Sequence, residues 1–226
     1  MARSHLLAPV ALALLLTSCN GKSSPAAVSR PPAPLPSPTT AAPTDEELVA
    51  SLVVPAAAFG HGVTSIPLAS GNEVAGQVTL DVCGATFESE LLRTARRQVR
   101  YDVRGKPTAS EEVVTYSDGG VAKAMAEVMH AVATCPHHAV SSTVAGVPPL
   151  TYTYTRLARR APWPASTQAY RVKVTDGHQV ESSIGIFMWR GNVFTGVYGP
   201  SDGAGAPSPT VLALADAAAR KLAALH

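Results

Sequence analysis

Between Thr151 and Tyr198 the chain is dominated by short segments whose side chains alternate in character, separated by turn residues. Thr151–Thr155 alternates hydroxyls with Tyr152 and Tyr154, and Tyr170–Val174 alternates apolar side chains with Arg171 and Lys173. A period of two sends successive side chains to opposite faces of a strand. Asp176-Gly177 and Arg190-Gly191-Asn192 are hairpin signals, the second flanked by Ser183–Trp189 and Val193–Tyr198. Three or four successive antiparallel strands follow. Such a meander must bury its apolar face against something, and that requirement fixes the class of fold.

The covering elements are legible as helices. Val121, Ala124, Met125, Val128, Met129 and Val132 recur at helical spacing opposite Lys123, Glu127 and His130, after the turn Ser117-Asp118-Gly119-Gly120. Near the end, Ser208 is an N-cap with Pro209 at the first helical position. Val211, Leu214, Ala215, Ala218, Leu222 and Leu225 form that helix's stripe, with Arg220 and Lys221 near its negative end. Thr44-Asp45-Glu46-Glu47 reads as a capping box opening a short helix that Pro55 disrupts. Gln98–Val103 and Glu111–Tyr116 read as strands joined through Gly105, Lys106 and Pro107, while the glycines of 60–80 suggest a loop or irregular edge. Helix, two strands, helix, four-strand meander, helix is the order of an α+β fold: a mainly antiparallel sheet with helices packed on one face.

Ahead of this lies a different kind of sequence. Arg3 and His5 precede the 11-residue apolar run Leu6–Leu16, too short for a membrane span of roughly 20 residues. Leu16-Thr17-Ser18-Cys19 resembles the lipobox of bacterial lipoproteins. That resemblance implies cleavage before Cys19, lipid on its sulfur, and residence on the extracytoplasmic side of the cell membrane. Residues 20–43 are rich in Pro, Ser, Ala and Thr, without aromatics or periodicity, a composition that cannot offset the entropy of ordering. The domain plan is therefore 1–18 signal peptide, 19–43 lipidated cysteine and disordered spacer reaching roughly 30–70 Å, and 44–226 a single α+β domain.

With Cys19 acylated, Cys83 and Cys135 are an even pair in an oxidising compartment, and a disulfide between them is expected. The alternative, a metal site at Cys135-Pro136-His137-His138, lacks the four ligands and the spacing of structural zinc; no metal and no cofactor is expected.

The formal charge of +2 falls to +1 when Arg3 leaves with residues 1–18, and a near-neutral surface argues against nucleic acid. The clusters Arg93, Arg96, Arg97, Arg100 and Arg156, Arg159, Arg160 read as solvated faces. No Gly-x-Ser-x-Gly, His-Glu-x-x-His, Walker or Gly-x-Gly-x-x-Gly motif occurs. Ser201-Asp202-Gly203 reads as a loop, and His61, His178 and Asp176 as solvated or structural. Asp81 and Glu88 flank Cys83 without acid–base spacing. The strand aromatics Tyr152, Tyr154, Phe187, Trp189, Phe194 and Tyr198 either pack the sheet or line a cleft.

The segment Glu111-Glu112-Val113-Val114-Thr115-Tyr116-Ser117-Asp118-Gly119-Gly120, its helix through Ala133-Thr134-Cys135-Pro136, and Ala95-Arg96-Arg97-Gln98-Val99 resemble actinobacterial secreted lipoproteins with a PknH-like extracellular, sensor-type domain. The resemblance spans about residues 80–200 and implies an extracytoplasmic ligand-binding or sensing module. It transfers no ligand-binding residue, and neither a kinase domain nor a spanning helix with which to pass a signal inward is expected in this sequence. The expected function is a lipid-anchored binding module without catalysis, its small-molecule, lipid or protein ligand held between the uncovered sheet face and Gly-rich loops by strand aromatics. The alternatives are a cell-envelope hydrolase or transferase whose residues converge only in space, or an interaction subunit of an envelope complex.

Overall fold

A computed structural model describes residues 42–59, 61–134, 138–140, 149–176 and 179–225. The signal run, Cys19, most of the spacer, Cys135, His137 and His178 lie outside them, as does the side chain of His138.

The elements are α1 (Asp45–Leu52), β1 (Val63–Pro67), β2 (Arg93–Val103), β3 (Lys106–Tyr116), α2 (Gly120–Thr134), β4 (His138–Val140), β5 (Leu150–Arg156), β6 (Thr167–Thr175), β7 (Val180–Arg190), β8 (Val193–Pro200) and α3 (Pro209–Ala223). The strands make one antiparallel sheet in the order β1-β2-β3-β8-β7-β6-β5-β4. The α+β class and the meander are as expected. β8 returns across the sheet to pair with β3, Val114 opposite Phe194, so the two halves of the chain share one surface.

The helices, however, do not share a face. α1 and α3 pack on the side of Val113, Ile186, Met188, Val193 and Val197. α2 packs on the opposite side, over Val114, Tyr116, Phe187 and Phe194. The reason lies in consecutive apolar residues, Val113-Val114 in β3 and Ile186-Phe187 in β7: a strand apolar on both sides needs cover on both. Within α2 the expected stripe holds at Val121, Ala124, Met125 and Val128, but Met129 is 44% exposed, at the stripe's margin.

Local signals account for the element ends. Thr44 and Glu47 form the reciprocal capping box, and Ser208 Oγ accepts from Val211 N–H at 3.4 Å with Pro209 behind it. α2 can start so close to the sheet only because residue 120 is glycine. A Cβ there would lie 2.8 Å from Tyr116 Cβ and 3.2 Å from Leu92 Cβ. β2 and β3 run longer than the pattern indicated, beginning at Arg93 and Lys106. Part of the glycine-rich 60–80 region forms the edge strand β1.

Candidate functional site

The strand register gathers the aromatics on the α2 face. Tyr154 pairs with Val172 and Tyr152 with Val174, Val172 with Ser183 and Tyr170 with Gly185, and Gly185 with Tyr198. Residues directly opposite in a ladder point the same way, so these side chains form one surface on that face, where Tyr170 belongs to the same buried cluster as α2's stripe and Tyr154 and Tyr198 pack against it. They line a cavity of about 220 Å³, closed on one side by Asp81 and Val82. Phe187 is the hub, with ring centroids 6.2 Å from Tyr170, 5.8 Å from Phe194 and 5.9 Å from Tyr198. Tyr198 lies flat over residue 196, where a Cβ would come 2.9 Å from its ring, which explains a glycine inside a buried strand.

A second hollow of about 350 Å³ adjoins the first, sharing Ser183 and Tyr198 and extending over Ser110, Pro107 and Leu68. At its edge the Arg100 guanidinium is paired with Asp102 at 2.7 and 3.1 Å. Burial raises the Tyr154 and Tyr170 phenols above their ordinary range and Tyr198 well above it, so all three stay neutral. Tyr154 Oη accepts from the Cys83 N–H at 3.2 Å, tying the wall of the cleft to the Cys83 turn. The cleft can enclose a small body with aromatic faces and offer hydroxyls and one carboxylate, Asp81, at its rim. No histidine lines it among the described residues.

Other candidates have local duties. Asp176 Oδ1 accepts from Gln179 N–H at 2.6 Å within its own hairpin. Asp202 accepts from Ala204 and Ala206 N–H at 2.9 and 2.8 Å, making Ser201–Gly203 the loop expected. Glu88 pairs with Lys123 at 2.6 Å, which holds its carboxyl below the usual range. His61 is exposed in a turn. Among the described residues no group of three or more His, Cys, Asp or Glu is placed to hold a metal, and no helix is long and apolar enough to cross a membrane. Cys83 is buried, its Sγ 3.6 Å from the carbonyl oxygen of Ala131 near the end of α2.

The first basic cluster corrects the sequence reading. Arg96 is 4% exposed and Arg93's side chain also 4%, because the segment before β2 folds over this part of the sheet. It supplies the carbonyls of Ser70, Val74 and Gln77 to the two guanidiniums. Arg96 pairs with the buried Glu112, which also accepts from Thr79 Oγ1 at 2.8 Å. These charges lock a loop to the sheet. Arg156, Arg159 and Arg160 are exposed, as read.

Tyr170 was missing from the candidate aromatics. Its signal is register: it shares parity with Val172 and Val174, which face Tyr152 and Tyr154 across β5.

No protein-family profile matches the chain, and no curated protein matches it. Among solved structures it is similar to the crystal structure of the extracellular domain of PknH from Mycobacterium tuberculosis, with 14% identity and a TM-score of 0.47, over 79% of this chain and 98% of that one.

Proposed function

We propose that the chain is a lipid-anchored extracytoplasmic binding module, sensor-type rather than catalytic, whose ligand sits in the tyrosine cleft. The observation that carries this reading is the cleft itself: four tyrosines and Phe187 from four strands around a hollow walled on one side by Asp81 and Val82. Apolar walls with a few polar groups are the usual make-up of a small-molecule site. In this reading the run Leu6–Leu16 and Cys19 place the domain outside the cytoplasmic membrane on acyl chains, and the 20–43 segment holds it off the surface. Cys83 and Cys135 form its disulfide, which the nearness of Cys83 Sγ to the last turns of α2 supports.

Ser183, exposed where the two hollows meet, provides the test. Ser183→Trp fills the junction without disturbing the core. Organic extracts of the full chain, purified in a non-ionic detergent from the producing cell, should contain a molecule absent from the variant. Identical extracts from a folded variant would remove the cleft as the seat.

A further inference from the structure

We infer that the hollow between β6, the Asp202–Pro207 loop and the start of α3 is a second ligand site, fitted to a small organic monocarboxylate with an apolar body. It lies on the sheet face opposite the tyrosine cleft, since Arg171 alternates with Tyr170 and Val172 along β6. Its volume is about 440 Å³, within the range of natural small-molecule sites.

The walls are apolar: Leu157, Trp163, Pro207 and Leu212, with Arg160 and Arg171 as the charged lining. Arg171 is half-buried, its guanidinium sits in the space a Cβ on residue 205 would take, and the φ of +83° at that residue is the left-handed conformation that favours glycine. Among the described residues that guanidinium makes no hydrogen bond or ion pair. A charge withdrawn from water is ordinarily paired.

The acids nearby are committed elsewhere. Asp216 accepts from Trp163 Nε1 at 2.8 Å and sits 3.6 Å from Arg160, and Asp202 is engaged by the amides of its own loop. Asp216 offsets Arg160 and Arg159 Nη1 donates to the Trp163 carbonyl at 3.1 Å, leaving Arg171 as the lining guanidinium with no counter-charge. A guanidinium fork takes a carboxylate bidentately, and one unmatched lining guanidinium fits one carboxylate group.

The test titrates 1-naphthoate into the full chain in non-ionic detergent, with the neutral 1-naphthylmethanol as control, by calorimetry. The carboxylate should bind about tenfold or more tightly than the alcohol. Arg171→Gln should weaken it about tenfold or more while leaving the alcohol unchanged, the range lost with a charge-assisted hydrogen bond. Amide shifts should centre on Ala204, Gly205 and Ala206. Should Arg171→Gln not fold, Arg160→Gln, at an exposed position, is expected to weaken naphthoate selectively. Equal affinity for acid and alcohol, indifference to both substitutions, or shifts confined to Tyr152, Tyr154 and Tyr170 would overturn the assignment.

Discussion

Tyr101 has one hydroxyl proton and two acceptors: Val54 O at 2.6 Å and Glu111 Oε2 at 2.7 Å. Val54 N–H also donates to Glu111 Oε2 at 2.9 Å. All three contacts are hydrogen bonds at once only when Glu111 carries the second proton, donating to Tyr101 while Tyr101 donates to Val54. Burial pushes Glu111 up to about 7 from 4.5, against the opposing pull of the Val54 and Tyr101 hydrogen bonds and of Lys221. A raised carboxyl pKa means the native state keeps a proton that the unfolded chain releases. Its stabilising share is full below about pH 4.5, declines up to about 7, and is flat above. At 1.36 kcal/mol per unit, that share is about 3 kcal/mol. Urea unfolding across this window should show stability falling with pH, and Glu111→Gln should flatten the slope; an unchanged slope in the variant would remove Glu111 as its source. Burial raises Glu112 as well, but Arg96 beside it favours the ionised carboxylate. Arg96→Met should cost about 3–5 kcal/mol by stranding that carboxylate, and adding Glu112→Gln should recover part of the loss. Neither role was legible in sequence. Two adjacent acids in a strand read as one inward and one outward, and their partners Val54 and Thr79 lie 57 and 33 positions away.

At the scale of elements the sequence was far more readable. Helix ends depend on a few consecutive residues, so Thr44, Glu47, Ser208 and Pro209 were all identifiable before any tertiary contact. Ser208→Ala should lower stability by about 1 kcal/mol, read as a shift in the unfolding midpoint. Gly120→Ala is different in kind: the added methyl meets Tyr116 and Leu92, and overpacking of this sort costs about 1–3 kcal/mol. Helical propensity alone would make that substitution favourable, so a stabilised variant would contradict the close approach of α2. What the pattern did not yield was the side of the sheet each helix takes. An amphipathic stripe says that a helix needs a face to cover, while the choice of face depends on where the connecting loops emerge. The tyrosine cleft was half legible for the same reason: strand aromatics were visible, but not the register that brings Tyr152, Tyr154, Tyr170 and Tyr198 around one hollow.

For the whole molecule the proposed acylation and disulfide would connect fold to compartment. A Cys83–Cys135 bridge closes a loop of about 50 residues, worth about 4 kcal/mol in the chain-entropy account. It would tie the end of α2 to the turn that Tyr154 holds against the cleft. Cys83→Ser should therefore cost about that amount more under non-reducing conditions than under reducing ones. An equal loss in both would assign the effect to packing alone. Everything proposed about ligand access rests on the domain standing outside the cytoplasmic membrane, tethered through Cys19. The direct measurement is the intact mass of the unreduced chain extracted from membranes of the producing cell. The expected polypeptide starts at Cys19, carries acyl chains on that residue, and weighs two hydrogens less than the Cys83, Cys135 dithiol; a mature chain starting elsewhere, or an unmodified Cys19, would overturn the anchor.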